Sequence, residues 1–244
     1  MIINYGTRAR IGLLMPSGNS AAEPQFQAML PAGVSLHTTR LKLNGSSEQQ
    51  LLSMVGRVEE GAALLADAGV DLITFNCTAV STWDETMEAG ILRRIHASAH
   101  LPATSTAEAL VAALTVLSAR SIVLITPYIE PVNRREIAFF ERHNFSVLSC
   151  SGLNLETPAQ MVDIEPEAWY EIVRERRHEE ADAYLISCTA IRSAEIIEPL
   201  EQLLGRPVLT SNQATAWWSL RRLGLADDAP KFGRLFKKAG WNQK

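Results

Sequence analysis

Two cysteines in this chain stand in matching company. Cys77 lies in Phe75-Asn76-Cys77-Thr78-Ala79-Val80-Ser81, and Cys188 lies in Ser187-Cys188-Thr189-Ala190-Ile191-Arg192-Ser193. Each follows an apolar run that reads as a buried strand, Val70-Asp71-Leu72-Ile73-Thr74 and Ala183-Tyr184-Leu185-Ile186. A thiolate is a nucleophile, and a thiol is a tunable proton donor and acceptor. One thiol on each side of a carbon can deprotonate one face and reprotonate the other. A thiol can also add to an activated double bond. Neither scheme needs a metal or an organic cofactor. Backbone N–H groups in the turn after each strand would stabilise an anion, whether thiolate or carboxylate. Thr78, Ala79, Thr189 and Ala190 are the expected donors, because their small side chains let a ligand approach the backbone. A lone cysteine after an apolar strand is ordinarily a small buried hydrophobe. Two of them in equivalent settings argue for function. Cys150 lacks that setting and reads as structural.

The elements that must position these thiols alternate between strand and helix patterns, which predicts a parallel sheet flanked by helices. Strands are expected at 10–15, 34–41, 70–75 and 101–105. Helices are expected at 23–30, at 82–96, at 106–117, and over a continuous apolar face from Leu51 to Leu65 capped by Ser46-Ser47-Glu48. The pattern then restarts, with strands at 121–126, 145–150, 183–186 and 207–211. Its helices are expected at 131–143, 166–181, 194–204 and 213–223, and the segment 152–164 reads as irregular. Pro127 follows Pro16 by 111 positions, and Cys188 follows Cys77 by the same interval. The fold class is therefore α/β, with two similar Rossmann-like half-domains, 1–118 and 119–244, related by pseudo-two-fold symmetry. The C-terminal helix and tail are expected to return to the first half. Ligands of parallel sheets bind outside the carboxyl ends of the strands, so the active site is expected in the cleft between the halves.

Composition narrows the classes further. A 47% apolar content suits a globular core. The net charge of −4 gives no general affinity for nucleic acid. No run of about 18 apolar residues predicts a membrane span, and the N-terminal stretch has no signal-peptide apolar region, so a cytoplasmic location is expected. Three cysteines are too few and scattered for a disulfide framework. Without CxxC, HExxH or a histidine cluster, no metal site is expected.

Other residues fall near the expected cleft. Pro16 and Asn19 belong to the loop after the first strand, and Tyr128 to its counterpart. An asparagine amide or a tyrosine hydroxyl can hold a carboxylate oxygen. Turn chemistry for Asn19 and a half-buried aromatic for Tyr128 are the plainer readings. Asn133 and Arg134 read as surface residues of a helix start. Ser211 and Asn212 either cap the last helix or line the cleft. Trp217 and Trp218 read as packing or an oligomer contact.

Taken in order, Pro16-Ser17-Gly18-Asn19 with Glu23, Asn76-Cys77-Thr78-Ala79, Thr126-Pro127-Tyr128, Ser187-Cys188-Thr189, Ser211-Asn212-Gln213-Ala214 and Phe232-Gly233-Arg234-Leu235-Phe236 resemble the aspartate/glutamate racemase superfamily. The details are similar to its branch containing maleate cis-trans isomerase and arylmalonate decarboxylase. This resemblance implies a cofactor-independent enzyme acting on a small carboxylate, and by analogy a homo-oligomer. In maleate isomerases the residue matched by Cys77 adds to the double bond and the intermediate rotates. The residue matched by Cys188 assists proton transfer, and those matched by Asn19 and Tyr128 hold the carboxylates. In arylmalonate decarboxylases the first position is usually glycine, so cysteine at both positions favours an isomerase or racemase. A decarboxylase using Cys188 alone, a non-catalytic carboxylate-binding protein and a Cys77–Cys188 redox pair are the competing readings.

Overall fold

The computed structural model describes residues 3–43, 45 and 47–238. Its first half runs β1 (Ala9–Pro16), α1 (Ala22–Met29), β2 (Val34–Leu41), α2 (Glu48–Val55), α3 (Val58–Asp67), β3 (Leu72–Phe75), α4 (Thr78–Ser81), α5 (Glu85–Ala99), β4 (Ala103–Ser105) and α6 (Thr106–Val116). The second half runs β5 (Ser121–Thr126), α7 (Glu130–Arg142), β6 (Ser146–Gly152), α8 (Pro158–Val162), α9 (Pro166–Glu175), β7 (Ala183–Ile186), α10 (Ile197–Leu204), β8 (Val208–Thr210) and α11 (Ser211–Arg222). Two short 3-10 turns, Pro230–Phe232 and Arg234–Lys237, follow.

Each half holds one four-stranded parallel sheet, in the orders β2-β1-β3-β4 and β6-β5-β7-β8. The equivalence extends to register: Ile11 sits beside Leu72 in the first sheet, and Ile122 beside Ala183 in the second. In both sheets the chain leaves the first strand to one side and returns to its other side. The crevice at such a reversal, above the carboxyl ends of two adjacent strands, is where a parallel sheet holds ligands. In this chain it receives the loops after β1 and β3, and after β5 and β7. All residues of β3 and β7 are buried, as strands covered on both faces must be.

The halves are joined through a polar seam on α11. Ser211, Thr215 and Ser219 recur every four residues and so share one helical face. That face meets the first half: Thr78 Oγ1 donates to Ser211 Oγ at 3.0 Å, Thr215 Oγ1 to Thr106 Oγ1 at 3.3 Å, and Thr74 and Ser219 hydroxyls lie 3.0 Å apart. Every one of these groups is buried; Thr215 and Ser219 also donate to carbonyls of α11 itself, at 2.7 and 2.8 Å. Trp217 and Trp218 lie within the core, which makes them packing residues.

Several boundaries depart from the periodicity. The apolar face from Leu51 to Leu65 belongs to two helices, because the chain breaks at Gly56-Arg57. Ser47 caps α2, accepting from Gln50 N, and Ser46 lies outside the described residues. The 82–96 helix is replaced by α4 and α5, separated where Asp84 accepts from Met87 N at 2.7 Å. Segment 152–164 is not wholly irregular. Thr157 and Gln160 form a capping box around α8, with Pro158 at its first turn. α9 ends at Glu175 and α10 begins only at Ile197.

Candidate active site

Cys77 and Cys188 emerge from the carboxyl ends of β3 and β7 and line one small cavity between the halves. Pro16, Thr78, Ala79, Tyr128, Thr189 and Ala190 line it with them. Of the residues singled out in the sequence for substrate contact, Asn19 alone stands outside this lining. Its side chain is engaged within the protein: Nδ2 donates to Thr189 O at 3.0 Å and Thr189 Oγ1 at 3.1 Å, while Oδ1 accepts from Ala21 N and Ala22 N, both at 3.0 Å. Asn19 therefore starts α1 and ties the first half to the Cys188 turn.

Residues that the sequence did not mark complete the wall. Leu43 and Gly45 come from the passage between β2 and α2, Leu51 from α2 itself, and Pro158 and Met161 from α8. Met161 Sδ lies 4.0 Å from Cys188 Sγ. The capping box of α8 was the signal for this roof element. Among the described residues no charged side chain lines the cavity, so an anion inside it would rest on neutral donors. The volume is about 40 Å³, enough for a few water molecules. A dicarboxylate of eight heavy atoms is larger than this space.

Tyr128 is positioned by its backbone. Thr126 Oγ1 accepts from Tyr128 N at 3.1 Å and donates to Asn133 Oδ1 at 2.6 Å, and Asn133 Nδ2 donates to Tyr128 O at 3.2 Å. Asn133 is thus a buried clamp, correcting the expectation of a surface residue. Arg134 is exposed and pairs with Glu130. The clamp explains Gly152, where a Cβ would sit 2.7 Å from Tyr128 O and collide with the Asn133 amide. The Tyr128 hydroxyl faces the Cys188 thiol closely enough to favour its thiolate.

Ser211 and Asn212 take neither of their expected places. Thr210 caps α11, reciprocated by Gln213. Ser211 Oγ accepts from Cys188 N at 3.0 Å, and Asn212 Nδ2 donates to Thr189 O at 3.0 Å. Both hold the Cys188 turn from behind.

Burial pushes both thiols up to about 12, so each is neutral near pH 7. For Cys77 the Val80 N–H opposes the rise and the nearby Cys188 adds to it. For Cys188 the Tyr128 hydroxyl and the Ala190 N–H, whose nitrogen is 3.2 Å from Sγ, oppose it, while Glu136 adds to it. Of the four expected N–H donors only Ala190 reaches a sulfur, that of Cys188; Val80, which was not among them, is the one that eases the rise at Cys77. No helix follows Cys188; the chain makes a turn there. Thr78, Ala79 and Thr189 N–H groups have no acceptor among the described residues.

Glu136 is fully buried on α7 and accepts a hydrogen bond from Ser187, the residue before Cys188. Burial raises its carboxyl to about 7. A carboxyl raised on folding contributes stability below its unfolded value, near 4.5, and loses it as the pH climbs through about 7. Glu136→Gln should match the wild type at pH 4 and exceed it at pH 8 by on the order of 3 kcal/mol. Urea denaturation at the two pH values measures this.

Comparison with known proteins is decisive on kinship. The family model described as arylmalonate decarboxylase matches residues 11–236. The chain belongs to the arylmalonate decarboxylase family. It is 29% identical over 240 residues to a maleate isomerase of Nocardia farcinica (strain IFM 10152), covering 94% of this chain and 96% of that one. A crystal structure of a Cys→Ala variant of the Pseudomonas putida S16 maleate isomerase, with maleate, superimposes with a TM-score of 0.91 at 22% identity, over 95% of this chain and 98% of that one. A Cys→Ser mutant of the Nocardia farcinica maleate cis-trans isomerase, carrying a covalently bound succinylcysteine intermediate, gives a TM-score of 0.87 at 28% identity, over 94% and 98%. These solved maleate isomerases thus share the fold of this chain.

Proposed function

We propose that this protein is a cofactor-independent cis-trans isomerase of a small dicarboxylate, with maleate as substrate, in which Cys77 is the nucleophile and Cys188 the proton-transfer partner. One observation carries the reading: two neutral thiols at equivalent strand ends line one cavity that, among the described residues, has no charged side chain. The succinylcysteine found in the Nocardia farcinica mutant is what addition of a thiol to maleate gives. In this chain the Cys77 sulfur bonds to one olefinic carbon as Cys188 delivers its own proton to the other, and the proton that Cys77 gives up passes to the Cys188 sulfur. The carbon–carbon link becomes single and rotates. The reverse steps expel the thiol and leave fumarate, with no net gain or loss of protons. The free N–H groups of Thr78, Ala79 and Thr189 are placed to hold carboxylate oxygens, and Tyr128 steadies the Cys188 sulfur.

A second reading has its own support in the family's name. Loss of carbon dioxide from an arylmalonate would need only Cys188, as proton donor to the enediolate. Proton NMR of the purified protein with maleate and, separately, phenylmalonate in deuterated buffer distinguishes them. The maleate olefinic signal should give way to that of fumarate, with phenylmalonate unchanged. Conversion of phenylmalonate with maleate untouched would replace the first reading by the second.

A further inference from the structure

A buried carboxyl stands behind the cavity and is joined to it by hydroxyl groups. Thr78, a cavity residue, donates through Oγ1 to Ser211 Oγ at 3.0 Å. Ser211 Oγ lies 3.5 Å from Ser187 Oγ, and Ser187 Oγ donates to Glu136 Oε1. Cys188 N occupies a further acceptor position on Ser211, at 3.0 Å. Glu136 Oε2 is buried and has no partner among the described residues. No basic group compensates this carboxyl; the titratable groups that sense it are Cys188, Tyr128 and Cys150, each disfavoured as an anion by it. From α11 and α4 only hydroxyls face the chain of hydrogen bonds. At the equivalent position of the first half, 111 residues earlier, stands the neutral Gln25, whose Nε2 donates to Ile191 O at 2.7 Å.

The direction of these bonds matters. Thr78 donates to Ser211 and Ser187 donates to Glu136; with the Ser211 hydroxyl turned to Ser187, 3.5 Å away, the row of donors points at Glu136 and the Thr78 oxygen is left with only lone pairs to offer. A carboxylate there would meet lone pairs and be repelled. We propose that Glu136, Ser187, Ser211 and Thr78 form a proton-linked switch, through which binding of a substrate carboxylate in the cavity is coupled to uptake of one proton by Glu136. This rests on the carboxylate reading of the site. The balance is simple. A proton from the buffer enters at the Thr78 oxygen, and Thr78 passes its own proton to Ser211. Ser211 passes one to Ser187, and Ser187 passes one to Glu136 Oε1. Each oxygen breaks one O–H bond and forms another, and all the hydrogen bonds reverse. Thr78 then donates into the cavity, and Glu136 is a neutral acid that donates to Ser187. The raised carboxyl, near 7, makes this uptake inexpensive at neutral pH.

Succinate, a dicarboxylate without a double bond for the thiol to attack, is the probe. Calorimetric titration at pH 8 in buffers of different ionisation enthalpy counts the protons bound with it. The wild type should take up close to one. Its succinate affinity should fall about tenfold per pH unit above pH 8. Glu136→Gln, whose amide can meet Ser187 with either end, should bind with no proton uptake and a flat profile from pH 7 to 9. Ser187→Ala, which cuts the path, should also bind without uptake. Wild-type binding without proton uptake, or uptake that survives Glu136→Gln, overturns the switch and leaves the carboxylate site standing. Failure of the folded wild type to bind either succinate or maleate overturns the carboxylate reading and the switch with it.

Discussion

Cys77→Ala is expected to lower the turnover of maleate by about 10⁴-fold or more, with the fold and melting temperature nearly unchanged. The magnitude follows from removing the atom that forms the covalent bond, which leaves only binding and the surrounding dipoles to act. The small structural cost follows from the site. Cys77 is buried in the cavity wall with Thr78, Ala79 and Leu51. Loss of one sulfur atom there leaves no charged group unpaired. Steady-state rates by the change in ultraviolet absorbance of maleate, beside thermal melts, check both halves. A variant retaining more than about a tenth of wild-type activity would remove Cys77 from the chemistry, since a purely positioning group rarely costs more than 10²-fold.

Cys188→Ser should be equally folded and should lose about 10²- to 10⁴-fold in turnover, the range of a positioned acid or base. Its hydroxyl can keep the contacts from Tyr128 and the Ala190 N–H, but it is a far weaker proton donor than a thiol. The two substitutions should also differ in kind. Loss of Cys77 prevents the adduct from forming, whereas loss of Cys188 slows the proton transfers on either side of it. In deuterated buffer the wild type should place deuterium on an olefinic carbon of fumarate whenever Cys188 exchanges its proton with solvent during the life of the adduct. A Cys188→Ser protein as active as the wild type would leave the second thiol without a role.

Much of this architecture was legible because the chain repeats itself. The 111-residue interval carries Pro16 onto Pro127 and Cys77 onto Cys188, and the sheets keep the same register across that interval. A parallel sheet then fixes where its loops meet, so the eight residues from Cys77 to Ala190 and from Pro16 to Tyr128 that share the cavity followed from strand ends alone. What lay beyond reach depended on contacts between distant segments. Asn133 looked solvent-exposed because it sits early in a charged helix; it is buried because Gly152 lets β6 close over it. Met161 and Pro158 reach the cavity only because the Thr157–Gln160 box makes a five-residue helix inside a polar stretch. Glu136 was not singled out in the sequence. Its spacing from Val132 and Phe140, four residues to either side and both buried, was the available sign that it points inward. Asn19 was placed near the cleft, but its partner Thr189, 170 residues away, could not be read from local sequence.

The central claim is that Cys77 bonds covalently to the substrate and that Cys188 serves the proton steps around that bond. Intact-protein mass spectrometry of Cys188→Ser incubated with maleate, followed by peptide mapping, tests it most directly. The account predicts a gain equal to one maleic acid, located on the peptide carrying Cys77 and absent from a Cys77→Ala/Cys188→Ser double variant. A folded Cys188→Ser protein that isomerises maleate without ever carrying the added mass, or that carries it elsewhere, would contradict the account.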